Sequence, residues 1–166
     1  MKPATIRAVT DSPAATRALA AEVAGLSQGG DIIVLAGDLG TGKTVWVQGY
    51  AAGLGVTDGV TSPTFTLVRP HEGRRLRLLH ADLYRLDRLG EVFDLGLIEQ
   101  LDERTVTCIE WGDLALPALP ADLLEVRLDY APSDDRRTIV MTTVGARWRA
   151  RADALGQAVS PWVNPQ

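Results

Sequence analysis

One stretch constrains the fold of this chain more than any other. A continuous apolar run, Asp31-Ile32-Ile33-Val34-Leu35-Ala36, opens directly into Gly37-Asp38-Leu39-Gly40-Thr41-Gly42-Lys43-Thr44. A run rich in β-branched residues and without polar alternation suits a strand covered on both faces, as in a parallel sheet between helices. After it, Val47, Tyr50, Ala51 and Leu54 mark one face of a helix over Thr44 to Leu54, and Gly55 suits the left-handed position that ends a helix. The octapeptide between strand and helix matches G-x-x-x-x-G-K-[ST]. Its glycines let successive N–H groups turn inward onto phosphate oxygens. The helix start adds its positive dipole end. Lys43 has the reach for the β- and γ-phosphates, and the Thr44 hydroxyl suits Mg²⁺, which prefers oxygen donors. The four fixed positions match by accident in roughly 0.5% of chains this long, taking glycine at about 7%. Gly37, Asp38, Leu39, Gly40, Thr41, Gly42, Lys43 and Thr44 are therefore expected to bind a nucleotide.

The flanking sequence predicts an open α/β sheet. Thr5 to Val9 alternates like a short strand, and Ser12-Pro13 is a helix start, with Leu19, Val23 and Leu26 at helical spacing as far as Leu26. Leu76 to Ala81 and Thr105 to Ile109 read as further buried strands, ending at Asp82 and Glu110. Leu89 to Leu101 reads as a helix interrupted by Gly96. Leu123 to Tyr130 and Arg137 to Val144 alternate and are joined by turn residues, which predicts a hairpin near the C-terminus. Residues 146–159 read as one amphipathic, Arg-rich helix, and 160–166 as a flexible tail. The fold expected is one P-loop NTPase-like domain over residues 1–166, with a mixed, mostly parallel sheet flanked by helices. In such sheets ligands sit at the carboxyl ends of the strands.

Composition removes several classes of function. With 166 residues the chain can bury a core without disulfides or structural metal. The single cysteine, Cys108, excludes an internal disulfide and a cysteine metal cluster, and with only His71 and His80 a zinc site would have to lean on carboxylates. The net charge of −4 argues against gripping nucleic acid by charge alone. No apolar run approaches the roughly 20 residues of a membrane span, and the N-terminus lacks a signal-peptide core, so a cytoplasmic location is expected.

The nucleotide is expected to be ATP. A guanine site of the Asn-Lys-x-Asp kind needs an internal asparagine, and the only one is Asn164. Asp87-Arg88-Leu89-Gly90 spells D-x-x-G but does not follow a buried strand, so it reads as a turn and helix start. Asp82 and Glu110, at strand ends, can ligate Mg²⁺, hold a metal-bound water or orient the attacking water. Ser62, Pro63, Thr64, Phe65 and Thr66 form a hydroxyl-rich segment after the loop and its helix, in the place of a switch that reports the γ-phosphate.

With these four segments in this order — the phosphate loop, Ser62-Pro63-Thr64-Phe65-Thr66-Leu67-Val68, Asp82-Leu83-Tyr84-Arg85 and Ile109-Glu110-Trp111 — the chain resembles the TsaE (YjeE) family from about Ser12 to Thr138. The resemblance implies a small bacterial P-loop ATPase, weak alone, that binds ATP and Mg²⁺. It implies work with TsaB and TsaD, which threonylcarbamoylate adenosine 37 of tRNAs reading ANN codons to give t⁶A, with TsaE needed for multiple turnover. Carried over, Thr44 and Glu110 would ligate Mg²⁺, and Asp82 and Lys43 would be catalytic, Asp82 as the water-orienting acid. Ser62 to Thr66 would be the first switch. Trp111 would lie beside the nucleotide or a partner. Arg137 would touch the nucleotide, with Arg136 competing for that alignment. An adenine contact would fall near the start of the first helix, around Ser12 to Thr16. Ala81 stands where members often have Phe.

Two other functions compete. A small-molecule P-loop kinase needs an acceptor pocket and a lid, for which Arg74, Arg75 and Arg77 are candidates. A non-catalytic nucleotide-dependent interaction module would need neither Asp82 nor Glu110. The Arg147, Arg149 and Arg151 helix reads as a solvated face or as a patch that meets a partner or tRNA, and is no signature of the family.

Overall fold

The computed structural model describes residues 2–61, 67–84, 86, 88–94, 96–111, 115–133 and 135–163. The expected switch, residues 62–66, lies outside the described residues. Seven strands form one sheet: β1 (Thr5–Thr10), β2 (Ile32–Ala36), β3 (Val68–His71), β4 (Arg77–Asp82), β5 (Thr105–Glu110), β6 (Leu123–Tyr130) and β7 (Arg137–Val144). Their spatial order is β1-β7-β6-β2-β5-β4-β3. β6, β2, β5 and β4 run parallel to their neighbours in the centre, while β1–β7, β6–β7 and β3–β4 pair antiparallel at the flanks. The sheet is mixed around a parallel core, with β6 and β7 as the expected C-terminal hairpin.

The central strands are apolar throughout because both faces are covered. Every residue of β2 and β5 is buried. On one face Ile33, Leu35, Leu78, Val106, Cys108, Leu124 and Val126 pack against Leu19 and Val23 of α1 (Pro13–Gly25) and Trp46, Val47 and Tyr50 of α2 (Lys43–Gly53). On the other face Ile32, Val34, Leu79, Ala81 and Ile109 meet Leu83, Leu97, Ala115 and Leu119. The alternation along each strand thus divides one sheet between two cores. Burying a large aliphatic side chain contributes roughly 1.5–3 kcal/mol, so these two layers set the strand register and with it the position of every strand end.

Four expectations need correction. β3 was not anticipated. It is a four-residue edge strand containing Pro70, and proline is tolerated where one side of the ladder faces outward. The helix expected over Leu89 to Leu101 does break at Gly96 (φ 67°), as its sequence implied, but it is shorter than expected: only α3 (Leu89–Asp94) precedes the break, and a 3₁₀ turn at Ile98–Gln100 follows it. The C-terminal helix is two helices, α4 (Ala146–Ala150) and α5 (Ala152–Ala158), broken at Arg151. The break coincides with an inward-turned side chain: Arg151 makes two hydrogen bonds of 2.6 and 2.8 Å to the buried Asp31 carboxylate, and Arg147 adds an ion pair at 3.2 Å. These arginines are structural partners of Asp31, not a solvated stripe. The tail expected to be flexible is ordered as far as Val163, because Ser160–Trp162 form a 3₁₀ turn and Trp162 and Val163 pack on the first core.

Candidate nucleotide site

The loop between β2 and α2 sits at the carboxyl end of the central strands. Two of its glycines are demanded by geometry. At Gly37, φ is +138° and a Cβ would stand 2.2 Å from the Leu128 carbonyl oxygen. Gly42, at φ +103°, is the left-handed residue from which α2 starts. Side chains are excluded at both places, leaving backbone N–H groups and a helix N-terminus facing the same space. Lys43 begins α2. Its Nζ donates to the carbonyls of Gly37 (2.7 Å) and Asp38 (2.9 Å) and lies 3.9 Å from the centre of the Trp111 ring.

The sheet register brings the two acids side by side. Asp82 and Glu110 are direct partners at the ends of β4 and β5. Glu110 is only 3% exposed. The Thr44 hydroxyl donates to it at 2.9 Å (Oε1) and 3.1 Å (Oε2), and His80 Nε2 donates to Oε2 at 2.5 Å. Asp82 is half-buried, and its Oδ1 accepts the Tyr84 N–H at 3.0 Å. Cys108, two residues before Glu110 on the same strand face, has its thiol pushed well up, first by burial and then by the Glu110 charge. A thiol held neutral in this way is no nucleophile.

Trp111 follows Glu110 with φ at 58°, the one left-handed non-glycine backbone among the described residues. A bulky residue there is a conformational outlier, and such outliers gather at functional sites. The twist turns its ring over Lys43, and Tyr84 packs on it with ring centres 5.0 Å apart. On the other side of the loop, the hairpin braces the backbone. Tyr130 OH donates to the Leu39 carbonyl at 2.7 Å, and Arg137 Nε donates to the Thr41 carbonyl at 3.1 Å. These two residues are cross-strand partners, and the Arg137 guanidinium lies 4.7 Å from the Tyr130 ring centre. Arg137 also faces Thr10 across β1 and β7, which places Ser12 just beyond this edge. Ser12 itself caps α1, its Oγ accepting the Ala15 N–H at 3.1 Å.

Most of the anticipated residues therefore converge: the loop, Lys43, Thr44, Glu110, Asp82, Trp111 and Arg137. His80, Tyr84 and Tyr130 were not singled out for the site. His80 and Tyr84 were detectable in principle, since each lies two residues from Asp82. Tyr130 had no local signal, because its contact is set by the pairing of β6 with β7 and by the fold of the loop.

The family model described as "Threonylcarbamoyl adenosine biosynthesis protein TsaE" matches residues 10–139. The chain belongs to the TsaE family. The TsaE of Bacillus subtilis, named a tRNA threonylcarbamoyladenosine biosynthesis protein, is 38% identical over 148 residues, covering 89% of this chain and 92% of its own. That of Streptomyces coelicolor is 41% identical over 143 residues, covering 82% and 95%. The crystal structure of Bacillus subtilis YdiB superposes with a TM-score of 0.81 at 33% identity, covering 95% of this chain and 97% of that one. This member of the TsaE family is thus a P-loop nucleotide-binding protein by family and by fold. No helix among its described residues is long and apolar enough to cross a membrane.

Proposed function

We propose that this chain binds ATP with Mg²⁺, hydrolyses it slowly alone, and works in the cytoplasm with TsaB and TsaD in forming t⁶A at adenosine 37 of tRNAs reading ANN codons. The observation that supports this most is the Thr44–Glu110 contact beside the phosphate loop: a hydroxyl and a buried carboxylate, both oxygen donors, at 2.9 Å. That donor set fits Mg²⁺, and Thr44 and Glu110 are the residues that would hold it. Bound Mg²⁺ would neutralise charge on the phosphates.

The chain's own residues account for the rest. Loop N–H groups bind and orient the phosphates. Lys43, now seated on the Gly37 and Asp38 carbonyls, exchanges them for a γ-phosphate oxygen, a stronger charge-assisted acceptor. Asp82 orients the attacking water and receives its proton. Catalysis in this scheme is positioning and electrostatics, as in other phosphoryl transfers.

The test is phosphate release from ATP, alone and with the TsaB–TsaD heterodimer. Slow release that rises with the partners is expected. Release indifferent to them would leave a P-loop ATPase without the t⁶A role, and phosphate found on an added metabolite would turn the assignment to a kinase.

A further inference from the structure

β4 is apolar inward at Leu78, Leu79 and Ala81, yet it carries an imidazole at position 80 that is 0% exposed. The β4–β5 register sets His80 opposite Cys108, in the layer beneath α2. A residue there for packing alone would be aliphatic, since burying a polar ring is costly unless its nitrogens are paired. Only one nitrogen has a partner among the described residues. Nε2 meets Glu110 Oε2 at 2.5 Å, and Nδ1 is buried without a hydrogen bond. The imidazole is kept for a single contact, and that contact is the carboxylate facing Thr44.

The contact has a directional consequence. Glu110 would otherwise be free to turn about its terminal torsion. With Oε2 tied to His80 and both oxygens within 3.1 Å of Thr44 Oγ1, the carboxylate plane is set from two sides. His80 holds Oε2 from β4, inside the core. Oε1, at 2.9 Å from the hydroxyl, retains acceptor capacity toward the loop.

We infer that His80 is a positioning residue: its Nε2–H fixes the Glu110 carboxylate in the orientation in which, with Thr44, it holds the divalent cation. The inference rests on the assignment of Glu110 as a cation-holding group in the proposed function. Hydrogen-bond partners of metal-holding carboxylates typically change metal affinity about 10–100-fold when removed.

The test compares wild type, His80→Leu, His80→Gln, Glu110→Ala and the double variant His80→Leu/Glu110→Ala. The readout is binding of a fluorescent non-hydrolysable ATP analogue, titrated with Mg²⁺ and repeated in EDTA. His80→Leu should raise the Mg²⁺ concentration for half-maximal binding about 10–100-fold, while affinity in EDTA stays within about twofold. His80→Gln, whose Nε2–H occupies nearly the same place, should recover most of the loss. In the Glu110→Ala background His80→Leu should have no further effect, because the two residues act as one unit.

Equal losses with and without Mg²⁺ would make His80 a packing residue and overturn the inference. So would a Gln variant as impaired as Leu, or a His80→Leu protein with wild-type Mg²⁺ response beside an impaired Glu110→Ala. If wild type itself bound the analogue equally with and without Mg²⁺, the assignment of Glu110 would fail first and carry this inference with it. The two failures are therefore told apart by the wild-type titration.

Discussion

Among the described residues two carboxylates are buried, one at each end of the central strands, and they are treated in opposite ways. Asp31, just before β2, is 1% exposed. It is met by two hydrogen bonds from Arg151, an ion pair from Arg147 and the Gln28 N–H at 2.8 Å. Two full positive charges answer one negative charge. Glu110, at the end of β5, is 3% exposed, and its described partners are a hydroxyl and an imidazole. A buried charge is expensive unless it is paired. Asp31 is paired from within the chain and so serves the fold, tying the C-terminal helices to the sheet. Among the described residues Glu110 has hydrogen bonds but no guanidinium, and so it is suited to receive charge from outside. Burial is similar at the two sites, and the kind of partner separates the acid paired within the chain from the one that the proposed function assigns to the cation.

The largest effect should fall at the structural acid. Asp31→Asn removes the charge that two arginines enclose. Breaking a buried pair costs about 3–5 kcal/mol, and the lower end applies because Arg147 is 40% exposed and can turn to water. Chemical denaturation should show a loss of about 3 kcal/mol, with ATP hydrolysis by the folded fraction unchanged. The reciprocal change is Glu110→Gln, which keeps the volume and removes the charge. Hydrolysis should fall about 100-fold, equivalent to about 2.7 kcal/mol of barrier, with the melting temperature held or raised. If Glu110→Gln unfolded the protein and Asp31→Asn silenced it, the division would be wrong.

How far the sequence anticipates this contrast depends on the distance over which each interaction acts. The phosphate loop was legible because its chemistry is local: glycines, a lysine and a threonine at fixed spacing inside strand–loop–helix. The place of Glu110 at a strand end was legible because a buried apolar run leads into it. The fold class followed from apolar runs that had to be covered on two faces. What escaped was set by contacts between distant segments. Asp31 and Arg151 are 120 residues apart, and nothing near Arg151 marks a helix break. Tyr130 reaches the loop across 91 residues. β3 was hidden because Pro70 reads as a strand breaker, and only an edge position makes it acceptable. Arg151 was read as surface because a helical pattern shows which residues share a face and not what that face meets.

A smaller prediction sharpens the functional side of the comparison. The loop is held on one flank by Tyr130, which is 54% exposed, and on the other it faces Thr44 and Glu110. Tyr130→Phe removes one neutral hydrogen bond, that to the Leu39 carbonyl, and leaves the ring against Arg137. The net worth of such a bond is about 1 kcal/mol. Nucleotide affinity measured by fluorescence should weaken about fivefold, with no change in the Mg²⁺ requirement. A changed Mg²⁺ requirement would mean that the hairpin and the Glu110 side of the loop act together and not as separate braces.

The smallest effect concerns a third acid, which is exposed where the other two are buried. Asp58 lies in the turn after α2, and its Oδ2 is 2.8 Å from Nδ1 of His71, a buried side chain on β3. The hydrogen bond from His71 is the main influence on Asp58 and holds its carboxyl below the ordinary aspartate value. A carboxylate whose pKa is lowered by folding binds fewer protons in the native state than in the unfolded state. Its contribution is therefore fully present above the ordinary aspartate pKa and is lost as the pH falls through the lower, native value. Asp58→Asn should flatten stability against pH in that acidic window and leave it unchanged at neutral pH apart from a constant offset. Melting curves from neutral to strongly acidic pH, wild type against variant, read this directly. Because Asp58 faces water, salt screens its charge, so the difference between the two curves should shrink at high ionic strength. A difference that survived high salt would show that the bond behaves like the Asp31 cluster, and exposure would then be a poor guide to which acids this fold depends on.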